Sequence, residues 1–173
     1  MKAIAVLDKN RAIGKDGKLL FHIPSDLKHF KKETLQRTCI MGRKTLGSMP
    51  KGRPLPGRNT LVLSASLPEG LIWMTNNFYA RSFRTPESLL AWAKAHCGED
   101  ELIVCGGEQI YRLFFGMTDE LILTELENEA PEADAFFPEY ADAFTAVSDS
   151  GRITEGELNY HIRRYRRKHV EER

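Results

Sequence analysis

Short apolar runs alternate with helical patterns along the chain. Near-continuous apolar runs at residues 3–7, 38–41, 59–64 and 102–105 are bounded by polar residues, as expected of strands that are covered on both faces. Between them lie stretches with apolar residues three and four positions apart, which indicates helices. The alternation predicts an α/β sheet, with the strand at residues 3–7 near its centre.

Two helices carry clear start signals. Pro24 suits the first helical position but disfavours helical backbone at the residue before it, so the first helix should begin at about Pro24 or Ser25. Asp26 then falls in the first turn, beside the Phe30 ring four positions on. A second helix should run over residues 85–97, because a threonine cap, a proline and an early acid open it.

The remaining stretches are expected to connect or extend the sheet. Residues 8–23 are predicted to form a long polar loop, of the kind that often serves as a functional lid. Alternation at residues 144–147 and 160–166 predicts an antiparallel hairpin added to the sheet. The basic run at residues 163–169 could contact nucleic acid, but its alternation with apolar residues favours a half-solvated edge strand.

Length and composition narrow the class of protein. The 173 residues suit one domain, and a net charge of +1 gives no argument for nucleic acid or an anionic membrane as partner. No apolar run approaches the roughly 18 residues of a membrane helix, and the start of the chain is charged too early for a signal peptide. Three cysteines without paired spacing indicate reduced thiols and no metal site. We therefore expect a cytoplasmic protein.

Candidate chemistry gathers where two buried strands run into helices. At residues 42–45 (GRKT) a glycine lets the backbone approach a ligand, and two cations stand beside the free N–H groups of the next helix. Residues 106–109 (GGEQ) repeat the arrangement without the cations. Together they suggest one extended phosphate-bearing ligand, although glycine is also common at such turns for backbone reasons alone. The three-glycine spacing of a Rossmann fold is absent.

Asp26 has two interpretations at this point. An acid in the first turn of a helix is favoured by the helix dipole, and most charged side chains are exposed. Alternatively, it is a lone acid held beside apolar groups, with the raised pKa that an acid/base or polar anchor requires.

Several segments must be considered together. They are residues 13–14 (IG), 22–27 (HIPSDL) with Phe30, 40–45 (IMGRKT), 52–59 (GRPLPGRN), 63–64 (LS), 106–111 (GGEQIY), 123–124 (LT) and 134–138 (DAFFP). In order and spacing, over nearly the whole chain, they resemble the chromosomal bacterial dihydrofolate reductases. With the patterns above, the resemblance implies one α/β domain over residues 1–173. Its central mixed, mostly parallel sheet has about eight strands and a C-terminal antiparallel hairpin, flanked by about four helices.

The resemblance implies NADPH-dependent hydride transfer to the pterin of dihydrofolate, giving tetrahydrofolate, in a protein expected to be a monomer. Asp26 would be the catalytic acid that orients the pterin and promotes its protonation, supported by Thr124, and Arg58 would receive the glutamate-tail carboxylate. The full set of implied substrate-binding residues is Ile4, Val6, Asp26, Leu27, Phe30, Met49, Arg53, Leu55, Arg58, Cys105, Tyr111 and Thr124.

The resemblance also implies a set of NADPH-binding residues. Arg43, with Lys44 and Ser64 nearby, would hold the 2′-phosphate, and the loop over residues 12–19 would close over the nicotinamide, held by Asp134. The implied cofactor-binding residues are Val6, Ile13, Gly14, Lys18, Leu19, Gly42, Arg43, Lys44, Thr45, Leu63, Ser64, Ala65, Gly106, Gly107, Glu108, Gln109, Ile110 and Tyr111.

The chain departs from the usual pattern of the dihydrofolate reductases at two places. Leu20 and Phe21 stand where the family usually has Pro-Trp, which removes an indole N–H donor and loosens the loop. Cys105 replaces the larger aliphatic residues that are frequent there.

A riboflavin-pathway reductase of related fold acts on a ribosylated pyrimidine phosphate, for which Asp26 and Arg58 would have no use. A non-catalytic nucleotide-binding module would not need Asp26.

Overall fold

The computed structural model describes residues 1–98 and 101–169, so the rest of the predicted 1–173 domain lies outside the described residues. The strands are β1 (Lys2–Leu7), β2 (Ala12–Lys15), β3 (Lys18–Leu19), β4 (Thr38–Gly42), β5 (Asn59–Leu63), β6 (Gly70–Met74), β7 (Tyr79–Phe83), β8 (Leu102–Val104), β9 (Glu120–Leu126), β10 (Ala135–Phe136), β11 (Phe144–Asp149), β12 (Ile153–Glu155) and β13 (Leu158–Arg167). The helices are α1 (Pro24–Thr34), α2 (Arg43–Ser48), α3 (Pro86–His96) and α4 (Glu108–Phe114), with 3₁₀ turns at Pro50–Gly52 and Phe115–Met117.

Nine strands of the described residues form one continuous path in the central sheet. Their order is β11-β13-β9-β1-β8-β4-β5-β7-β6, and β12 pairs with β13. The six strands from β9 to β7 pair in parallel, whereas β6 at one end and β13 and β11 at the other pair antiparallel. The predicted fold class, a mixed and mostly parallel sheet with four helices and a C-terminal antiparallel hairpin, is confirmed.

The central strand β1 pairs with a strand on each side, and most of its side chains are buried, as expected of a parallel sheet that is covered on both faces. Ala3 pairs with Val104 of β8 and with Leu121 of β9, and β1 leaves Leu7 only 2% exposed. Because parallel strands run in one direction, the ends of β1, β4, β5, β8 and β9 lie at the same edge of the sheet. In open α/β sheets, ligands bind outside this carboxyl edge.

Local signals place the helices as predicted. α1 begins at Pro24, where Ile23 before it keeps an extended backbone, and Asp26 lies in the first turn. At the start of α3, the Thr85 side chain accepts a hydrogen bond from the backbone N–H of Ser88 at 3.1 Å. Both helices therefore start where the chain itself supplies a proline or a cap.

Residues 8–23 are more regular than the predicted loop. β2 and β3 pair across a two-residue turn formed by Asp16 and Gly17, with φ angles of 49° and 74°, and β10 pairs with β2. Two positive φ angles belong to the tight hairpin turn that Asp-Gly favours. The Asp-Gly pair was the signal for this hairpin, and the polar composition of the stretch concealed it.

The prediction that the basic run at residues 163–169 forms an edge strand is wrong. β13 lies between β9 and β11 and is hydrogen-bonded on both sides. Two of its arginines pair with acids of neighbouring elements. Arg163 pairs with Glu125 and Asp149, and Arg164 pairs with Glu33 and Glu120. In the described part of the chain, no helix is long and apolar enough to cross a membrane.

Candidate active site

The carboxyl group of Asp26 is buried at the junction of α1 and the central sheet. Asp26 is 6% exposed, and its Oδ1 accepts a hydrogen bond from the Thr124 hydroxyl of β9 at 2.5 Å. Thr124 is itself 2% exposed. α1 supplies the acid from its first turn, and β9 supplies the donor that orients it.

Burial dominates the electrostatics of this acid. The pKa of Asp26 is raised from its ordinary value of 3.8, first because burial disfavours the charged form. The Thr124 hydrogen bond and the nearby His29 act in the opposite direction, and the negative charge of Glu155 adds to the increase. The acid therefore retains its proton to a higher pH than an exposed aspartate does.

Four of the residues predicted to form the apolar walls of the site pack in two adjoining clusters. Phe30 of α1 and Cys105, which follows β8, pack against a cluster that contains Ile4 of β1. Cys105 also packs, together with Met49, against a second cluster around Met41. Residues predicted to form the apolar walls are thus brought together from distant parts of the sequence.

Tyr111 of α4 connects the helix to the central strand. Its hydroxyl donates a hydrogen bond to the backbone carbonyl of Ile4 at 2.6 Å, and the side chain is 6% exposed. Burial raises the pKa of Tyr111 well above its ordinary value, so the hydroxyl stays protonated and remains a donor.

Arg58 is an arginine whose orientation is fixed by the protein. It is 4% exposed; its Nε donates to the Thr34 hydroxyl at 3.0 Å, and one terminal nitrogen donates to the Pro56 carbonyl at 2.6 Å. Burial lowers its pKa, yet a guanidinium stays charged at neutral pH. Among the described residues, no hydrogen bond is formed by the second terminal nitrogen. The guanidinium is held in place with donor capacity remaining for an anion.

The two glycine junctions predicted to contact phosphates are neighbours in space. The Gly42 N–H donates a hydrogen bond to the Gly106 carbonyl at 2.9 Å. A Cβ on Gly42 would lie 3.2 Å from the Ile110 side chain, and a Cβ on Gly107 would lie 3.4 Å from the Thr45 hydroxyl. The junctions after β4 and β8 therefore form one surface of close backbone approach at the carboxyl edge.

This surface fits a phosphate-bearing cofactor. Arg43 and Lys44 stand exposed at the start of α2, beside the glycine junction, with side chains free to reach a phosphate. Ser64, at the end of the adjacent β5, is 7% exposed and accepts hydrogen bonds from the backbone N–H groups of Ser66 and Leu67. The cationic side chains and small residues that a nucleotide requires are thus present together.

The hairpin of β2 and β3 is tied down by an acidic residue. The backbone N–H of Asp16 donates to the Asp134 carboxylate at 2.9 Å, and the N–H of Asp134 donates to the Gly14 carbonyl. Glu108 of α4 accepts a hydrogen bond from the Phe136 N–H at 3.2 Å and pairs with Arg112. α4 and the hairpin are therefore linked through β10.

The remaining predicted site residues do not take part in the contacts described above. Val6 packs with Phe21 against a cluster around Ile23, Leu126 and Tyr160, and Ile13 and Leu63 pack at the margin of the main core. Leu55 is half-buried. The exposed members are Lys18, Leu19, Leu27, Arg53, Ala65 and Gln109.

Sequence reasoning missed a group of polar residues around the start of α1. Ser25, Glu155 and Tyr160 are linked by hydrogen bonds, and His29 lies near Asp26. Glu155 lies 130 residues from Ser25, so no local pattern could pair them. The only available signal was the position of Ser25 next to the acid.

A buried acid with a raised pKa and a glycine-rich surface flanked by two cations both lie towards the carboxyl edge of a parallel sheet. This combination defines the class of α/β enzymes that bind a nucleotide beside a small organic substrate.

Comparison with known proteins narrows the class to one family. The chain matches the family model for dihydrofolate reductase over residues 1–167. It is 36% identical over 156 residues to a dihydrofolate reductase of Bacillus subtilis, covering 90% of this chain and 86% of the relative. It is 37% identical over 132 residues to a dihydrofolate reductase of Haemophilus influenzae, covering 75% of this chain and 73% of the relative.

A third relative shows similar agreement. The dihydrofolate reductase HdrB of Haloferax volcanii is 37% identical over 145 residues, covering 79% of this chain and 70% of the relative. The chain belongs to the dihydrofolate reductase family. The riboflavin-pathway reductase and the non-catalytic module are not favoured.

Proposed function

We propose that the protein reduces 7,8-dihydrofolate to 5,6,7,8-tetrahydrofolate with NADPH, and that Asp26 is its catalytic acid. Reduction of the pterin C=N bond requires a hydride at carbon and a proton at nitrogen, and bound NADPH supplies the hydride. The buried carboxyl group of Asp26, with its raised pKa, carries the proposal. It accepts hydrogen bonds from the pterin's N–H groups and favours the protonated state at the reacting nitrogen.

Each neighbouring group supports this role in a separate way. Thr124 fixes the orientation of the carboxyl through its hydrogen bond, so that the second carboxyl oxygen can face the substrate. Phe30, Ile4 and Cys105 exclude water from the pterin ring of the substrate, which strengthens the electrostatic interactions of Asp26 with that ring. Arg58 holds the glutamate tail of the substrate by a two-pronged contact.

For the cofactor, Gly42, Thr45, Gly106 and Gly107 would lie along the phosphates, and Arg43 with its neighbours would hold the 2′-phosphate. The preference for NADPH over NADH is tested by the ratio of kcat/KM for the two cofactors. Arg43→Ala should reduce this ratio at least about tenfold, because a charge-assisted phosphate contact is lost. Arg166→Ala, at an exposed arginine of β13 that is distant from β4 and β5 in the strand order, is the matched control.

The decisive assay follows NADPH oxidation with and without dihydrofolate, for wild type, Asp26→Asn and Asp142→Asn. Asp142 is an exposed control. We expect wild type and Asp142→Asn to oxidise NADPH only when substrate is present, and Asp26→Asn to lose about 10²–10⁴-fold in rate. Full activity in Asp26→Asn would exclude the role of Asp26. The monomeric state and the cytoplasmic location remain predictions, the first open to size-exclusion chromatography with light scattering.

A further inference from the structure

The start of α1 is capped by a residue from the far end of the chain. Ile23, at the cap position, makes no side-chain cap hydrogen bond. Instead, the backbone N–H of Ser25 donates to Glu155 Oε1 at 3.4 Å, and the Ser25 hydroxyl donates to Glu155 Oε2. The Tyr160 hydroxyl donates to the same carboxylate at 3.3 Å. The hairpin of β12 and β13 thus holds the turn that carries Asp26.

We propose that Glu155 is a positioning residue for the reaction, which fixes the first turn of α1 and with it the carboxyl group of Asp26. The inference rests on the proposed role of Asp26. Asp26 is held at two points, by Thr124 directly and by Glu155 through the adjacent Ser25. A helix turn held from two strands cannot rotate the acid out of its present position without breaking one of these contacts.

Glu155 also acts on Asp26 through its charge. The hydrogen bonds from Ser25 and Tyr160 and the positive charge of Lys28 lower the pKa of Glu155, so this carboxylate is ionised near neutral pH. Its negative charge opposes ionisation of Asp26, whereas His29 favours it, and Tyr160 stands beside both acids as a neutral phenol with a raised pKa. Removing the Glu155 charge should therefore make Asp26 lose its proton at lower pH.

The test is the pH profile of single-turnover hydride transfer, measured by stopped flow with saturating NADPH and dihydrofolate. In Glu155→Gln, which keeps the shape and an acceptor oxygen, we expect the fall in rate to begin at lower pH than in wild type. At pH 8 the rate of Glu155→Gln should be about two- to fivefold lower than that of wild type. The effect is modest because partial solvation weakens the electrostatic interaction between Glu155 and Asp26. Glu155→Asp, which keeps the charge, should restore the wild-type profile.

Glu157→Gln is the matched control, because Glu157 is exposed two residues further along the same hairpin. Its profile should superimpose on wild type. A merely structural cap would lower the Tm of Glu155→Gln and leave its pH profile unchanged, and that result would overturn the proposal.

Ser25→Ala removes one hydroxyl from an exposed residue and gives a second test if Glu155→Gln does not fold. It should slow hydride transfer at unchanged KM for NADPH, and an unchanged rate would overturn the positioning role.

Failure of this inference can be told apart from failure of the proposed function. If Asp26→Asn is impaired but the Glu155→Gln profile matches wild type, only the role of Glu155 is refuted. If Asp26→Asn keeps full activity, the role of Asp26 itself is refuted.

Discussion

Replacing Arg58 by lysine should weaken substrate binding selectively. The guanidinium is held by Thr34 and Pro56, which use its Nε and one terminal nitrogen. Lysine keeps the charge but cannot make both of these bonds and also present two parallel donors to a carboxylate. The loss of one charge-assisted hydrogen bond costs about 1.5–3 kcal/mol, which corresponds to a rise of about ten- to a hundredfold in the KM for dihydrofolate.

The assay compares dihydrofolate with 7,8-dihydropteroate, which has no glutamate tail. Arg58→Lys should raise KM for the first substrate and leave KM for the second unchanged, with kcat nearly constant for both. Arg84→Lys should change neither substrate's KM, because Arg84 is exposed between β7 and α3. An equal loss for both substrates would show that Arg58 acts through the fold and not through the glutamate tail, and an unchanged KM for dihydrofolate would refute the contact altogether.

Three further predictions concern the acid, the loop and the cofactor surface. Because the pKa of Asp26 is raised, the folded state binds its proton more tightly than the unfolded state, so this group lowers the unfolding free energy as pH rises above 3.8. In urea titrations the stability of Asp26→Asn relative to wild type should therefore increase with pH above that value, and a constant difference would contradict the raised pKa. Phe21→Trp restores an indole N–H donor and should speed hydride transfer, because we hypothesise that the loop closes more slowly without this donor; an unchanged rate would refute the hypothesis. Gly106 has a φ of 110°, and a Cβ there would lie 3.2 Å from the Tyr111 ring, so Gly106→Ala should lower Tm by about 5 °C and weaken NADPH binding. Gly47→Ala, with open space around it, should do neither.

Local sequence signals predict most of the helices and strands but not how these elements pack together. Pro24 and the Thr85 cap gave the starts of two helices, because capping chemistry acts within a few residues. Burial on both faces of a strand leaves an apolar run, which identified β1, β4, β5 and β8. Where a signal was equally local but the composition was polar, as at Asp16 and Gly17, the hairpin was overlooked.

The sequence patterns alone do not predict contacts between residues that are distant in the chain. The hydrogen bond from Gly42 to Gly106 depends on β4 and β8 being neighbours, and periodicity does not give strand order. The pattern of the basic run in β13 predicts an edge strand, because the acids that pair with its arginines lie on other elements and cannot be identified from the run itself. In the same way, the cap from Glu155 joins two ends of the chain.

The first-turn position and the buried position of Asp26 make opposite predictions for its protonation. The helix dipole favours the carboxylate by about 0.3–1 kcal/mol at exposed sites, and it would lower the pKa. Burial acts in the other direction and is the largest cause here, so the pKa is raised although the residue begins a helix. Thr124 and His29 offset part of that increase, and Glu155 restores part of it. The acid is thus a helix-start residue in sequence and a proton-holding group in the folded protein, and the groups that decide this balance come from α1, β9 and β12.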